Sequence, residues 1–396
     1  MEIEREIAKE LSKEIEDIHI TILIGARQVG KTFLLRKIRD EAENKGLRIG
    51  FFDLEQPHVL GELNKTDEEV FDLLVNSFDV VFIDEFHYIK NISHILKAIY
   101  DSGKRIKIFA SGSSSMEIHK HIKESLAGRK ITYKIYPCSF NEIGQVIKDD
   151  PLNYYFVYGG LPGLVNLVDD EKRKMLLNDI LQSYLLKDIK SLIKEENIRA
   201  FNNLLYLLAQ YQGSIVATAS LAREIGLTPK SIENYLEILS QTYVNFPLHS
   251  FSTNFGNELK KSKKYYLYDL GIRNTILKNF ANLNSREDAG HMVESFVFLE
   301  LNRHVSPETE IRFWRLKDGT EVDFIWIKNQ KYYPIEVKTS CKIGDAPKGL
   351  KSFMNRYPKT EKAFVLCKDQ EGESNYNGVP VIYRKWDFAS NIPSAV

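Results

Sequence analysis

The 396-residue chain has few cysteines, no net charge and no long apolar run. Its three cysteines, Cys138, Cys341 and Cys367, are widely spaced and include no CxxC pair. Such spacing argues against a disulfide framework and against a zinc knuckle. No stretch approaches the ~20 apolar residues that span a bilayer. The opening MEIEREIAKELSKEIED reads as a charged amphipathic helix without the apolar core of a signal peptide. These absences lead to the expectation of a soluble cytoplasmic protein with no membrane partner. Lysine plus arginine number 54 and aspartate plus glutamate also 54, so bulk charge selects no partner. A basic groove would need an acidic face elsewhere to balance it.

Internal repeats and low-complexity segments are also missing. With 43% hydrophobic and 27% charged residues the composition is that of a globular protein, which excludes disordered and collagen-like chains. The length implies two or three domains. Over the first 150 residues short apolar runs alternate with helical spacing. HITILIG, RIGFFDLE, DVVFIDE and RIKIFASGS read as buried strands, each followed by a helical stretch. Buried strands alternating with helices predict a parallel sheet covered on both faces. The expected fold class is therefore α/β.

The expected boundaries are 1–150, 151–285 and 286–396. VYGGLPGLVNLVDD marks a hinge or turn, after which long helical periods take over. Within 216–240 a short helix opened by Ser220, a turn at Gly226 and a second helix with Pro229 at its first position outline a helix-turn-helix. NFPLHSF and KKYYLYD would supply a wing. Lys230, Ser231 and Asn234 are candidates to face a DNA groove, and Lys260, Lys261, Lys263 and Lys264 to meet phosphates. Packing against protein is the other use of such a module, and Glu233 and Glu237 on the second helix favour it. The last part reads helix, three strands, helix, strand.

Two constellations carry chemistry. Gly25-Ala26-Arg27-Gln28-Val29-Gly30-Lys31-Thr32 matches GxxxxGK[ST] after an apolar strand and before a helix. Glycines let the backbone wrap a phosphate, and successive N–H groups at a helix N-terminus present positive partial charge to it. Lys31 would reach the β/γ-phosphates and Thr32 would hold Mg²⁺, so ATP with Mg²⁺ is the expected ligand. Arg27 is expected to pack outward. Downstream, the apolar run Val80–Ile83 delivers Asp84 and Glu85 to a strand end, where α/β sheets bind ligands. Asp84 would orient the metal and Glu85 would act as general base. Ser111, at the end of the next strand, would sense the γ-phosphate. Arg129, in LAGR, would neutralise transferred charge in cis or from a neighbouring subunit, which implies a homo-oligomer; a surface salt bridge is the alternative. Residues 84–87 also spell DEFH, the DExH pattern of helicases, but no second parallel-sheet pattern follows to supply a second motor.

The second constellation lies near the C-terminus. Glu321-Val-Asp323 stands on one predicted strand and Glu336-Val-Lys338 ends the next. Alternation puts Glu336 and Lys338 on one face. A hairpin around KNQ would bring Asp323 to that face. Such carboxylates could bind a second divalent ion and activate water for attack on a phosphodiester, with Lys338 stabilising the developing charge and Glu294 completing the metal shell. An ordinary exposed strand face with charge pairs is the other reading.

The set GARQVGKT, VFIDEFHYI, ASGSSS, LAGRK, YPCSFNEI, YGGLP, EVDFIW and PIEVK resembles a family of archaeal and bacterial AAA-type P-loop ATPases. In that family a helical or winged-helix region follows the ATPase domain, and the C-terminal domain resembles restriction endonucleases of the PD-(D/E)xK type and archaeal Holliday-junction resolvases. The resemblance implies nucleotide contact by Gly30, Lys31 and Thr32 and an acidic pair at Asp84 and Glu85. It implies Ser111 as sensor and Arg129 as finger. It places Asp323, Glu336 and Lys338 on the nuclease-like triad, with Glu294 as the accompanying helix acid. Here the first acid stands in EVD where the pattern has PD. The implied function is an ATPase whose cycle controls a nuclease-like domain acting on DNA. The alternative is an ATP-dependent DNA- or protein-binding switch whose nuclease-like domain does not cut.

Overall fold

In the computed structural model, the described residues are 2–89, 91–113, 126–188, 198–252 and 263–396. They fall into two compact units. One comprises Met1–Val146, Leu161–Asn166 and Ile238–Val244; the other comprises Ile147–Gly160, Leu167–Glu237 and Asn245–Val396.

The first unit is built on a five-stranded sheet. Its strands are β1 (Ile20–Gly25), β2 (Ile49–Asp53), β3 (Val80–Asp84), β4 (Lys107–Ser113) and β5 (Lys130–Lys134), in the order β2-β3-β4-β1-β5. All neighbours are parallel. β1 and β3 are buried along their whole length, which explains their unbroken apolar runs: a strand covered on both faces shows no alternation. β5 has a mixed pattern and sits at an edge, so its sequence carries no comparable signal. Because β4 separates β1 from β3, whatever stands at the end of β4 lies between the ends of the other two. The opening segment is helical only over Ala8–Lys13 with a short continuation over Glu14–Glu16. Ile3 and Arg5, ahead of that helix, are buried, so the start is anchored rather than a free amphipathic helix.

The second unit begins with helices. Helix Thr218–Ile225 starts two residues before Ser220 and ends on Gly226 in the left-handed region, φ 81°. Helix Pro229–Gln241 follows, with the Thr228 hydroxyl accepting from Ser231 N at 3.1 Å. A small sheet comprises β6 (Ile215–Val216), β7 (Asn245–Leu248) and β8 (Lys263–Leu267), with β8 central and antiparallel to both. Lys230 and Asn234 are exposed, and so are Glu233 and Glu237 beside them. Lys264 is buried, so it cannot meet a DNA phosphate. Lys260 and Lys261 lie outside the described residues.

A mixed six-stranded sheet completes this unit. It contains β9 (Thr309–Arg315), β10 (Glu321–Lys328), β11 (Lys331–Val337), β12 (Ala363–Cys367), β13 (Gly372–Tyr376) and β14 (Val379–Lys385), in the order β13-β14-β12-β11-β10-β9. β10 and β11 form the expected hairpin. Asn329 and Gln330 at its tip both have positive φ, 51° and 61°, as a two-residue turn compatible with strand twist requires. The hairpin β13–β14 is absent from the sequence expectation, because GESNY alternates without an apolar face. Cys341 and Cys367 form a disulfide with Cα atoms 6.1 Å apart. Their 26-residue separation hides this pairing in the sequence; parallel register of Val337 with Leu366 brings the two positions side by side.

Helix Lys348–Arg356 packs against β10 through Gly349, where a Cβ would collide with the Glu321 carbonyl. Backbone on backbone leaves no flexible atom to give way. Gly349→Ala should therefore destabilise the protein by roughly 1–3 kcal/mol through overpacking. Thermal unfolding followed by circular dichroism checks this; an unchanged Tm would show that the helix can shift freely.

Candidate functional site

In the first unit the chain leaves β1 at Gly25 and enters helix Lys31–Asn44. Gly25 must be glycine because a Cβ would strike the Ile135 carbonyl oxygen. Gln28 and Gly30 take positive φ, 64° and 94°, which turns the loop back on itself. No side chain caps the helix start. Its first N–H groups are therefore open to an anion. Lys31 is buried, and its Nζ donates to the carbonyls of Gly25 at 3.2 Å and Ala26 at 3.0 Å. Burial pulls its pKa below the usual lysine value, while Glu85 and Asp84 pull it back up.

The acidic pair lies at the end of β3. Asp84 is buried and accepts a hydrogen bond from the Ser111 hydroxyl. Burial raises its pKa, and the nearby hydroxyls of Ser111 and Thr32 lower it. Ser111 Oγ also accepts from Glu85 N at 3.4 Å, so one serine on β4 holds both acids. Glu85 itself adopts the left-handed conformation, φ 53° and ψ 47°. For a non-glycine residue this is uncommon and found at functional sites. Its Oε2 lies 3.2 Å from His87 Nδ1, at an angle too poor for a hydrogen bond.

Arg27, Gln28, Gly30, Lys31, Thr32 and Glu85 line one cavity of about 480 Å³. Arg27 thus borders the cavity, against the expectation that it packs outward. Ala26 and Val29 are buried and contribute backbone only. Arg129 is elsewhere. Its carbonyl accepts from Ile20 N, at the start of β1. That is the opposite end of a six-residue strand from the loop, about 20 Å away at 3.3 Å per residue. Its guanidinium is bound to Asp101 at 2.7 Å. A finger in cis is therefore excluded, and within the chain the guanidinium forms a surface pair.

One contributor was not anticipated. Arg5 is buried, donates from Nη1 to the Val29 carbonyl at 2.8 Å and from Nη2 to the Tyr136 carbonyl at 2.8 Å, and pairs through Nε with Glu142 at 3.0 Å. Glu142 belongs to the capping box that opens helix Phe140–Gly144. Arg5 thereby fixes the phosphate loop from beneath. Pro162, Gly163 and Asn166, from the YGGLP stretch, complete the lining of the cavity. In sequence only their glycine-proline turn character showed.

In the second unit a β-bulge falls between Val322 and Ile325 on β10. It sits at Asp323, and bulges re-aim the side chain they carry. Asp323 Oδ2 accepts from Val337 N at 2.8 Å. Lys338 Nζ pairs with Glu336 Oε1 at 2.6 Å, and Glu336 Oε2 is buried without a partner. Burial pushes the pKa of both carboxyls up; Asp323 is raised further by Glu294 and Glu336 by Asp323. The expected trio is thus gathered. Glu294 is differently engaged: its Oε1 receives Lys264 Nζ at 2.9 Å and the Tyr266 hydroxyl at 2.6 Å. Lys264 also reaches Glu321 Oε1 at 2.6 Å. The sequence suggested a metal ligand at Glu294, and the Lys264 ammonium stands against its Oε1. Among the described residues no three ligating His, Cys, Asp or Glu side chains surround one point.

Comparison with known proteins fits this geometry. Residues 17–144 match a family model described as an AAA domain. Residues 149–283 and 289–384 match two models described as domains of unknown function, DUF8612 and DUF4143. Matched model, parallel sheet and loop agree on an AAA-type P-loop ATPase domain in the first unit. An uncharacterized protein of Methanocaldococcus jannaschii is 29% identical over 80% of this chain and 75% of its own. An uncharacterized protein of Haemophilus influenzae is 23% identical over 92% of each chain. Among solved structures, AMPPCP-bound DnaA from Aquifex aeolicus covers 60% of this chain and 86% of its own at 14% identity, with a TM-score of 0.33. Bacteroides Pif1 bound to single-stranded DNA covers 45% and 50% at 13% identity, with a TM-score of 0.26. Likeness of that degree carries no argument about function. No helix among the described residues is long and apolar enough to cross a membrane.

Arg5→Ala should free the Val29 carbonyl and leave Glu142 without its buried counter-charge, at a cost of about 3 kcal/mol. The expected outcome is a raised KM for ATP with a smaller change in kcat, partly rescued by Arg5→Lys. Steady-state ATPase kinetics check it; a wild-type KM would show that Arg5 does not govern the loop.

Proposed function

We propose that the chain is an ATP-hydrolysing switch of AAA type whose cycle controls a nuclease-like site acting on DNA. The observation that carries the first half is the pair of hydrogen bonds by which Ser111 holds Asp84 and the Glu85 amide, beside a cavity bordered by Lys31, Thr32 and Glu85. Phosphoryl transfer needs positioning and charge stabilisation more than covalent help. Main-chain N–H groups from Gly30 onward would cradle the phosphates. Lys31 would move from the loop carbonyls to the γ-phosphate oxygens. Thr32 and Asp84 fit a hard divalent ion, since both present oxygen and the Thr32 hydroxyl is near enough to lower the Asp84 pKa. Mg²⁺ held there would neutralise charge on the transferred group. Glu85 would accept the proton of the attacking water, and Ser111 would hold Glu85 through its amide.

We propose three modules: 1–150 for ATP, 151–285 as helical and winged-helix linkage, and 286–396 as the nuclease-like domain. The chain itself supplies a route between them. Gly160 donates to the buried Asp269 at 2.7 Å. Two residues on, Pro162 borders the nucleotide cavity. A shift of the loop on hydrolysis would therefore pull directly on the Gly159–Gly160 segment. At the C-terminal site, Asp323 and Glu336 fit one hard ion, whose remaining positions water and a phosphodiester would fill. Lys338 would stabilise the developing charge. The rival reading, DNA or protein binding without cleavage, is favoured by one observation: Lys264 sits where a larger metal shell would need Glu294 free.

Two expectations test these halves. Lys31→Ala should weaken ATP binding on the order of 100-fold, as loss of a charge-assisted contact does. Glu85→Gln should bind ATP normally but lower turnover by roughly 10²–10⁴; parent-rate hydrolysis would remove Glu85 as base. For the C-terminal site, the parent should cut duplex, single-stranded or branched DNA with Mg²⁺ or Mn²⁺, and Asp323→Ala and Lys338→Ala should not. A parent that cuts none of the three establishes the binding reading.

A further inference from the structure

The carboxylates of the C-terminal site do not all face one opening. Glu336 Oε2 is unpartnered, and Glu336 borders a cleft of about 850 Å³ shared with Glu321, Lys338, Lys342 and Lys348. Glu294 and Glu321 converge on Lys264 Nζ, at 2.9 and 2.6 Å, and the Asp323 charge also acts on it. Lys264 comes from the central strand of the three-stranded sheet, outside the strands that carry Asp323 and Glu336. Only 2% of its side chain is exposed, and its ammonium lies 5.4 Å from the Phe313 ring centre. Each carboxylate is held on further sides. Tyr266 donates to Glu294 Oε1, and Arg315 holds Glu321 Oε2 at 2.9 Å. Gly213 leaves room for Glu294, because a Cβ there would come within 3.2 Å of Oε1.

A lysine buried to this degree has a strongly hydrated ammonium to place, and it is almost never fully buried unless partners replace its water. Here the replacement consists of oxygens of the hard, anionic kind that also bind divalent ions. We infer that the Lys264 ammonium stands as a built-in cation in the place a second divalent ion would take between Glu294 and Glu321, leaving this chain one ion position, at Asp323 and Glu336. The inference rests on the proposed reading of Asp323 and Glu336 as an ion site and specifies it: the site holds one metal, completed by a lysine from another sheet. A covalently supplied charge is always present, so Glu294 and Glu321 need no metal to stay paired. Removing it leaves carboxylates in a poorly solvated place with nothing to neutralise them, which a divalent ion would relieve.

Mn²⁺ binding tests this with the full chain, read by the loss of free-ion electron paramagnetic resonance signal. An Asp84→Asn background keeps any ion at the phosphate loop out of the measurement. Lys264→Met should bind Mn²⁺ at least roughly tenfold more tightly than the lysine-bearing chain, since affinity follows ligand charge count. The gain should vanish when Glu294→Gln is added. Mn²⁺ should also raise the Tm of Lys264→Met more than that of its parent. Equal affinity in the two chains would overturn the inference. If Lys264→Met does not fold, Lys264→Gln keeps a donor for both carboxylates and takes its place. Glu321→Gln in the lysine-bearing chain gives a second arm, because Glu321 would serve the lysine and not the ion. Its Mn²⁺ affinity should match the parent's, and a tenfold loss would overturn the inference. A parent that binds Mn²⁺ but cuts no DNA, beside a Lys264→Met chain that gains an ion, would remove the hydrolytic reading and leave the inference standing.

Discussion

The ATP site depends on how Asp84 is satisfied. A buried carboxylate is costly unless hydrogen-bonded, and this one is held by the hydroxyl of Ser111 on the neighbouring β4. The strand order makes the arrangement available. With β4 between β1 and β3, the residue at the end of β4 is placed to touch both the acid and the loop-bearing strand. Ser111 also takes the Glu85 amide, so Asp84 and Glu85, the proposed metal-orienting acid and base, are registered to one hydroxyl. Their relative position follows from sheet topology and needs no flexible loop.

The loop has a second support that works from the other side. Arg5 spends three donors on the Val29 carbonyl, the Tyr136 carbonyl and Glu142. A guanidinium suits this, since its planar fork can serve several acceptors at once. Three distant stretches of chain, the opening residues, the phosphate loop and the segment after β5, become one rigid piece. The left-handed conformations at Gln28 and Glu85 need such a frame, because a strained residue persists only when its surroundings over-determine it.

Legibility in the sequence followed the range of the interactions. The phosphate loop, the acid pair and the buried strands β1 and β3 were readable because each is local: a fixed spacing or an unbroken apolar run. The hairpin β10–β11 was readable because its turn is short. What escaped was set by contacts distant in sequence. Arg5 looked like one charge among many in MEIEREIAKE, and only its 137-residue reach to Glu142 separates it from them. Arg129 looked like a finger because LAGR carries no sign of which end of the sheet it occupies. Lys264 read as one of a run of exposed lysines, since nothing local marks a lysine that will be buried on acids 30 and 57 residues away.

That last case ties the electrostatics of the chain together. Equal numbers of acids and bases predict no field at long range, yet charges inside the fold are matched locally and unevenly. In the first unit Lys31 is retained near Asp84 and Glu85 but bonded only to backbone carbonyls, so it can leave for a phosphate without exposing a carboxylate. In the second unit Lys264 is bonded to the carboxylates themselves, and its departure would strand them. A charged side chain held by neutral dipoles is poised to move, whereas one held by opposite charges in a buried setting is fixed. On the proposed reading the two lysines have opposite functions: one is part of a ligand site, and the other closes a position that a ligand would otherwise enter.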